Sequence, residues 1–437
     1  MGALAAIFIL GLFLRFSVLA GTVVDTPVRA DAKKYVTYAY NLSQYGVYSG
    51  QNTLNNDPSE QPKPDAVITP GYPVYLSLFF DKGPIKWSQL KASLVVQTFL
   101  SALSVVMIFY IFSPTLGAWA GLAVALLTAL SPHLVSANTY LLTESLFSFL
   151  MVLWLLLLSR ITCRTTLGAL VISGMVLAVA VLTRSWIQYF VILLLPFLLW
   201  VSGNPLFRMK RKVGAFFIGY MMILLIWITR NYITLGVSGD SRLMLATLQG
   251  GMYPGMMYDF IPESFGVPYR FDPSTSLITT SLSSFFSMLW ARVSEDPWVY
   301  LEWYLYGKAV MVLSWDIIAG FGDVFVYPIV STPYQEAGIF KVTHSVMKLL
   351  HVPITLLAIL GAVTAWVPRA FGVREGNNTW LMKILGLLFL YFILIHTIAS
   401  PYPRYSIPIR PLTYGLAVYM VGFLWDITWV RLRQKRD

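Results

Sequence analysis

The stretch SQLKASLVVQTFLSALSVVMIFYIF, residues 88–112, contains one charged residue, Lys91, and is otherwise largely apolar. It is long enough to cross a bilayer as a helix, which takes about 20 apolar residues. Similar stretches recur along the chain and predict about ten membrane spans, at residues 3–20, 88–112, 116–132, 139–159, 167–183, 186–201, 213–229, 342–366, 380–399 and 409–430.

The composition of the whole chain agrees with a polytopic membrane protein. Of its 437 residues, 57% are hydrophobic and 12% are charged, whereas soluble domains carry roughly a quarter charged residues. This excludes a soluble globular enzyme and a disordered chain. The net charge of +11 does not indicate nucleic-acid binding, because much of the excess lies in short clusters beside the apolar stretches. The single cysteine, Cys163, excludes a disulfide framework.

The charged residues also predict the topology of the chain, residues 1–437, which we expect to form a single membrane-embedded domain. Basic loops and a basic tail at 431–437 place both termini in the cytoplasm by the positive-inside rule. Two long polar stretches, 21–87 and 230–341, then become outer loops. Residues 303–320 are apolar but contain Lys308 and Asp316, and we interpret them as an interfacial or re-entrant helix.

The first outer loop contains a predicted amphipathic helix at 31–45, DAKKYVTYAYNLSQY, which is expected to lie on the membrane surface. Asp31 at its start has two interpretations. It is either a helix N-cap, worth about 1 kcal/mol, or a general base at the bilayer surface. Lys33 and Lys34 either bind lipid headgroups or keep Asp31 ionised and attract a phosphate.

Four further ionisable residues fall near the predicted outer ends of spans: Glu144, Arg184, Arg230 and Arg404. Burying such groups is costly, which makes each a functional hypothesis. The alternatives are that the arginines extend to headgroups and that Glu144 is a buried partner for an arginine, with Arg15 of the first span considered for that role. Two carboxylates and several guanidinium groups at one membrane surface suit transfer of a group from a lipid phosphate.

The ordered motifs resemble the GT-C-fold glycosyltransferases of the family 39 kind, which include protein mannosyltransferases and lipid A aminoarabinose transferases. The resemblance is carried, from about residue 7 to 425, by Asp31 followed by Tyr35 and Ala39, then by TPGYP at 69–73, LLTESLF at 141–147, VLTRSW at 181–186, TRNY at 229–232 and PRYSIPIRP at 403–411. It implies an all-α, GT-C-like fold. It also implies that Asp31 is the catalytic carboxylate and Glu144 a second acidic residue near the acceptor or a metal.

Further candidate roles can be stated. The resemblance makes Arg184, Arg230 and Arg404 candidates for the donor phosphate, and the position of Lys33 and Lys34 beside Asp31 adds these two lysines. The candidates for a substrate groove are Tyr35, Tyr72 and Tyr405, although membrane interfaces also collect tyrosine. A divalent cation, if one is used, would be held by Asp31 and Glu144. Many relatives have two adjacent acids where this chain has Asp31-Ala32, and this departure weakens the expectation of a metal.

The implied activity is inverting transfer of a hexosyl or pentosyl group from a polyprenyl phosphate to an acceptor hydroxyl. The acceptor is a lipid, a protein or a glycan, and the site faces outward from a bacterial or archaeal cell membrane. Two other functions remain open from the residues alone. A polysaccharide polymerase or ligase would use lipid-linked sugars without needing Asp31. A lipid-linked sugar transporter would be expected to show internal repeats and helices broken at mid-membrane.

Overall fold

The computed structural model of the chain describes residues 2–53, 61–161, 165–200, 210–318, 320–336, 338–367 and 379–434, which are mostly helical. Two short strands are present, β1 (Val23–Val24) and β2 (Ile329–Ser331). The α-helices are α1 Gly2–Gly21, α2 Ala30–Tyr45, α3 Gly71–Ser77, α4 Trp87–Leu116, α5 Ala118–Leu130, α6 Pro132–Ser136, α7 Thr143–Ser159, α8 Leu167–Thr183, α9 Phe190–Trp200, α10 Lys210–Leu235, α11 Arg242–Gly251, α12 Thr275–Ile278, α13 Leu282–Glu295, α14 Pro297–Glu302, α15 Lys308–Val312, α16 Ile339–Thr364, α17 Thr379–Ile398 and α18 Arg410–Gln434.

The predicted polytopic helical architecture is confirmed, but the count of ten spans is not. In the described part of the chain, six helices are long and apolar enough to cross a membrane: α1, α4, α10, α16, α17, and α18 together with the 3-10 turn before it. A seventh span results if α5 and the segment Pro132–Thr139, which meet at 52°, form one broken span. The helix breaks there because Pro132 has no N–H to continue the hydrogen-bond ladder of α5. Three more apolar helices are shorter.

The predicted helix at 31–45 is present as α2. It ends at Gly46, whose φ of 68° is the left-handed conformation that glycine adopts without strain. It buries Ala32, Val36 and Ala39 against the protein core. The interpretation of Asp31 as an N-cap is wrong, because the N-cap residue is Arg29 and Asp31 lies in the first turn.

The two predicted outer loops meet in the structure. Strand β1, which follows α1, pairs antiparallel with β2, and Val24 lies opposite Ile329. The Tyr327 hydroxyl accepts a hydrogen bond from Ala32 N and donates one to Arg29 O, both at 3.2 Å. These contacts fix the start of α2 against the segment before β2. The segment 303–320 forms a π-helical turn and the short helix α15 and is not a candidate span.

Close helix packing holds this scaffold together. Helices α8 and α10 cross at Gly174 and Gly219, where a Cβ atom on either residue would lie 2.0 Å from a carbonyl oxygen of the opposite helix. Small residues at such crossings allow backbones to approach. Arg15 is buried among α1, α4 and α5 and donates to Ser101 Oγ and to the Gly11, Thr128 and Ala129 carbonyls. It is therefore not the partner of Glu144.

Candidate functional site

Asp31 and Arg404 form the centre of the candidate site. Arg404 lies in the 3-10 turn Pro403–Ile409, and its Nη2 donates to Asp31 Oδ2. Lys34 Nζ lies 3.4 Å from Asp31 Oδ1, one turn along α2. The Asp31 side chain is 28% exposed and that of Arg404 is 19% exposed. The carboxylate is thus held by cations and still accessible to a ligand.

The electrostatics of the site keep Asp31 ionised. Burial of the carboxyl group disfavours the charged form, but the positive charges of Arg404 and Lys34 outweigh burial and hold the pKa of Asp31 well below its usual range. Burial also raises the pKa of the neighbouring Tyr327 to about 12, so its hydroxyl keeps its proton. The free protein therefore presents a carboxylate that is a weak base for as long as Arg404 is paired with it.

A second ion pair lies close to the first. Glu144, in the first turn of α7, has its Oε1 at 3.1 Å from Nη1 of Arg184, the residue directly after α8. The other carboxylate oxygen, Glu144 Oε2, has no hydrogen-bond partner among the described residues. The pair therefore retains hydrogen-bonding capacity.

Tyr405 connects the two ion pairs. The Arg184 guanidinium carbon lies 4.6 Å from the centre of the Tyr405 ring, and that of Arg404 lies 5.4 Å from it. Both distances are in the range of cation–π attraction. The structure thus brings together Asp31, Glu144, Arg184, Arg404 and Tyr405, which were predicted separately from the sequence.

Tyr35 and Tyr72 lie on one side of this cluster. Tyr35, one turn after Asp31, is partly exposed, and its ring contacts that of Tyr72 edge-on at 5.3 Å. Tyr72 is fully buried, and its hydroxyl lies 3.0 Å from Gln97 Oε1. Tyr35 therefore presents a ring to the site, whereas Tyr72 supports that ring from the interior.

Arg230 and Lys33 do not join the cluster. Arg230 donates to the carbonyl oxygens of Asp65 at 2.8 Å and of Tyr48 at 2.9 Å, and it stacks on Tyr48 and Trp227. It clamps the segment after α2 to the end of α10. Lys33 is exposed on α2, next to the buried Ala32.

The arrangement does not fit a divalent cation. Both oxygens of Asp31 face cations, and one oxygen of Glu144 faces Arg184. Divalent cations need several oxygen ligands, and these carboxylates would first have to release their arginines. Within the described ranges, no group of three or more His, Cys, Asp or Glu is placed to hold a metal.

Sequence reasoning missed Tyr327 as a neighbour of the site. It lies in the second predicted outer loop, nearly 300 positions from Asp31, and its apolar surroundings resemble an ordinary buried segment. It also missed Asp65, which accepts from the Tyr38 hydroxyl and from Gly50 N, and so closes the loop that Arg230 clamps. The roles of Tyr327 and Asp65 depend on contacts between segments that are distant in sequence, and no local motif predicts such contacts.

A family model and several solved structures match the chain. The family model described as dolichyl-phosphate-mannose-protein mannosyltransferase matches residues 85–228, about a third of the chain. That range includes Glu144 and Arg184 and leaves out Asp31 and Arg404. No curated protein sequence matches the chain.

Solved structures define the fold. The archaeal oligosaccharyltransferase AglB from Archaeoglobus fulgidus, in complex with an inhibitory peptide and a dolichol-phosphate, aligns with a TM-score of 0.51 and 15% identity over 95% of this chain and 49% of that one. The oligosaccharyltransferase of the same organism, tethered to an acceptor peptide, aligns with a TM-score of 0.54 and 14% identity over 97% and 49%. The chain thus spans about half the length of these proteins.

A further solved structure, ArnT from Cupriavidus metallidurans bound to undecaprenyl phosphate, covers 96% of this chain and 77% of its own at 10% identity, but with a TM-score of 0.39 it adds nothing to the assignment. The likeness to the oligosaccharyltransferase confirms the GT-C-like fold that the motifs predicted. The protein is an integral membrane protein of that fold.

Proposed function

We propose that the chain is an inverting glycosyltransferase that moves a sugar from a polyprenyl-phosphate donor to an acceptor hydroxyl. The observation that carries the proposal is the Asp31 carboxylate, which is partly exposed, does not cap its helix and faces Arg404. The GT-C-like fold supports this proposal. So does the family model, whose description refers to a dolichyl-phosphate sugar.

The proposed chemistry is a single displacement. Asp31 accepts the proton of the acceptor hydroxyl while that oxygen forms a bond to the anomeric carbon of the sugar. The bond between the anomeric carbon and the phosphate oxygen breaks, and its electron pair leaves with the polyprenyl phosphate. Attack from the face opposite the phosphate inverts the anomeric configuration. Fixed guanidinium groups stabilise the charge that gathers on the phosphate.

Arg404 has a second role in this proposal. In the free protein it holds the Asp31 carboxylate and lowers its pKa, which makes Asp31 a poor base. The donor phosphodiester is a second anion that presents two oxygens to the guanidinium, and its charge rises to that of a phosphate monoester as the sugar leaves. When Arg404 turns to the phosphate, the carboxylate loses its strongest ion pair and becomes a better proton acceptor. Donor binding thereby activates the base.

The other cations rank by their contacts. Arg184 is the second candidate for the donor phosphate, because its only ion pair among the described residues is with one oxygen of Glu144 and its guanidinium lies over the Tyr405 ring, beside Arg404. Lys34 touches Asp31 but is 58% exposed, which limits its electrostatic effect. Tyr35 and Tyr405 are the candidate rings for the sugar. The transferred group is a hexose or a pentose, and the acceptor is a lipid, a protein or a glycan.

The proposed site faces the outside of a bacterial or archaeal cell membrane. The distribution of basic residues supports this orientation, and the pairing of β1 with β2 puts both predicted outer loops at the same end of the helices. A cysteine introduced in place of exposed Lys33 is expected to react with a membrane-impermeant maleimide in intact cells. If the introduced cysteine is labelled only after cell lysis, the proposed site faces the cytoplasm.

Mass spectrometry of lipids from cells that lack the protein tests the function. We expect one polyprenyl-phosphate sugar to accumulate and its mass to identify the sugar. Re-expression of the wild-type chain or of Asp25→Asn, an exposed control on the same loop, should remove the accumulated lipid, and Asp31→Asn should not. Removal of the lipid by Asp31→Asn would favour a polymerase or ligase. Vesicle transport of the lipid without a covalent product would favour a transporter.

A further inference from the structure

A pocket lies between α16, the start of α18 and the segment after α15. Its lining includes Trp315, Met347, His351, Ser406, Arg410 and Tyr414. None of Asp31, Arg404, Glu144 or Arg184 lines it, so it is separate from the site described above.

Arg410 is the unusual residue of this pocket. Its side chain is 5% exposed, yet Nε and Nη2 have no hydrogen-bond partner among the described residues. The guanidinium carbon lies 5.9 Å from the centre of the Trp315 ring, and the Tyr414 side chain is within hydrogen-bonding reach of the guanidinium group. Neither neighbour carries a negative charge. A buried cation without a counter-ion is strongly unfavourable.

The other polar side chains of the lining are already paired. His351 Nε2 donates to Leu313 O at 2.8 Å, Ser406 Oγ donates to Pro403 O at 2.8 Å, and the Tyr414 hydroxyl lies 2.8 Å from Ser131 Oγ. No lining residue is acidic. The nearby carboxylate of Asp323 is held by His344 and Lys348. The free hydrogen-bonding capacity of the pocket therefore belongs to Arg410.

The two unpartnered nitrogens, Nε and Nη2, form one edge of the planar guanidinium fork. That edge matches two oxygens of a single oxyanion, which it binds through two parallel hydrogen bonds. We propose that this pocket binds a phosphate-type oxyanion on Arg410. Phosphate is favoured over carboxylate because the pocket borders α16, a candidate membrane span, and membrane lipids carry phosphate in their headgroups. A lipid headgroup and inorganic phosphate share this chemistry.

Phosphate-dependent stabilisation of the purified full-length chain tests the proposal. Thermal unfolding is measured in an uncharged detergent, in potassium phosphate and in potassium chloride of equal ionic strength. A ligand that binds only the folded state raises its stability. We expect phosphate to stabilise the wild type, and Arg410→Met to weaken phosphate binding about tenfold or more. Without phosphate, Arg410→Met should be at least as stable as the wild type, because it removes an unpaired buried charge.

Native mass spectrometry of the same samples separates the two sources. A phospholipid that stays with the wild type and is lost from Arg410→Met identifies a headgroup. Stabilisation by inorganic phosphate without a retained lipid identifies the free anion. Arg410→Lys keeps the charge and loses the fork, so it should show an intermediate affinity if Arg410→Met does not fold.

The control variant is Arg404→Met, which alters the other cationic site and should keep the response that depends on Arg410. An equal phosphate response in wild type and Arg410→Met, with no difference in retained lipid, overturns the proposal. So does loss of the response in Arg404→Met alone. Because stability and bound mass are measured without turnover, failure here is distinguishable from failure of the proposed transferase.

Discussion

Two carboxylates beside helix α2 are held in contrasting ways. Asp31, in its first turn, faces the side chains of Arg404 and Lys34 and is partly exposed. Asp65, beyond its other end, accepts from the Tyr38 hydroxyl and from the backbone N–H groups of Gly50 and Val67. A substrate can replace the side chains around Asp31. It cannot replace the backbone groups around Asp65 without opening the loop.

The arginines near these carboxylates differ in the same way. Arg404 contacts the Asp31 carboxylate and the Tyr405 ring. A substrate phosphate or sugar can take the place of either contact. Arg230 donates its hydrogen bonds to the backbone carbonyl oxygens of Asp65 and Tyr48. A position at a span end does not show whether an arginine binds a ligand. An arginine paired with a side chain is a candidate for ligand binding, whereas one bonded to backbone carbonyls is a structural clamp.

The largest expected effect is that of Asp31→Asn. The variant should fold and bind donor, but its turnover should fall by about 10²- to 10⁴-fold, the usual contribution of a general base. Turnover of purified protein with a polyprenyl-phosphate sugar measures this. Asp25→Asn, an exposed change on the same loop, should behave as the wild type. Near-normal turnover of Asp31→Asn would show that Asp31 is not the general base.

Arg404→Gln should lower kcat/KM by about 100-fold, because it removes a charge aimed at the leaving phosphate. It should also move the acid limb of the kcat/KM–pH profile to higher pH. Arg404 holds the pKa of Asp31 low, and without it burial raises that pKa. Lys34→Gln, at a more exposed cation, should shift the limb less. If the acid limb stays at the same pH in both variants, Asp31 is not the group whose titration produces it.

Glu144→Gln should reduce turnover by about tenfold. The change weakens the contact that positions Arg184 and, through it, Tyr405, and misplaced groups near the reacting atoms slow a reaction. The profile of rate against pH should keep its acid limb, since Asp31 and Arg404 are untouched. Glu302→Gln, at an exposed acid bonded to Tyr306, is the matched control. A loss as deep as that of Asp31→Asn would make Glu144 the base.

Arg230→Gln should have the smallest effect on chemistry and a clear effect on stability. Loss of two charge-assisted bonds to carbonyl oxygens is expected to cost about 1.5–3 kcal/mol, measured by thermal or denaturant unfolding in detergent. Turnover per folded molecule should stay close to that of the wild type. Arg242→Gln, which breaks an exposed ion pair with Asp240, should cost no more than about 1 kcal/mol. If the free energy of unfolding is unchanged and donor binding is weaker, Arg230 binds the donor phosphate and is not a structural clamp.

Much of the fold could be predicted from local sequence, since apolar stretches, α2 and its Gly46 stop are encoded by neighbouring residues. The ends of α5 at Leu130 and of α8 at Thr183 lie within two residues of the predicted span ends. The 52° bend between α5 and the segment Pro132–Thr139, which decides whether the two form one broken span, depends on how the helices meet. The same holds for the site. The sequence predicted Asp31, Glu144, Arg184 and Arg404 as separate candidates, and the ion pairs that join them arise from tertiary packing.

Local sequence could not assign Arg410. It stands in the same motif as Arg404, PRYSIPIRP, and each of the two arginines is next to a proline. One meets a carboxylate and the other only aromatic side chains. That difference becomes visible only when α2 and the segment around Trp315 are folded against the motif.

Chemical rescue is the most direct test of the central role of Asp31. Truncation to Asp31→Ala leaves room for a small carboxylate, and added formate should then restore part of the lost transfer in proportion to its concentration. The same formate should not accelerate the wild type or Glu144→Ala. Formate that restores transfer to Glu144→Ala and leaves Asp31→Ala unchanged would contradict the proposed mechanism and assign the proton to Glu144.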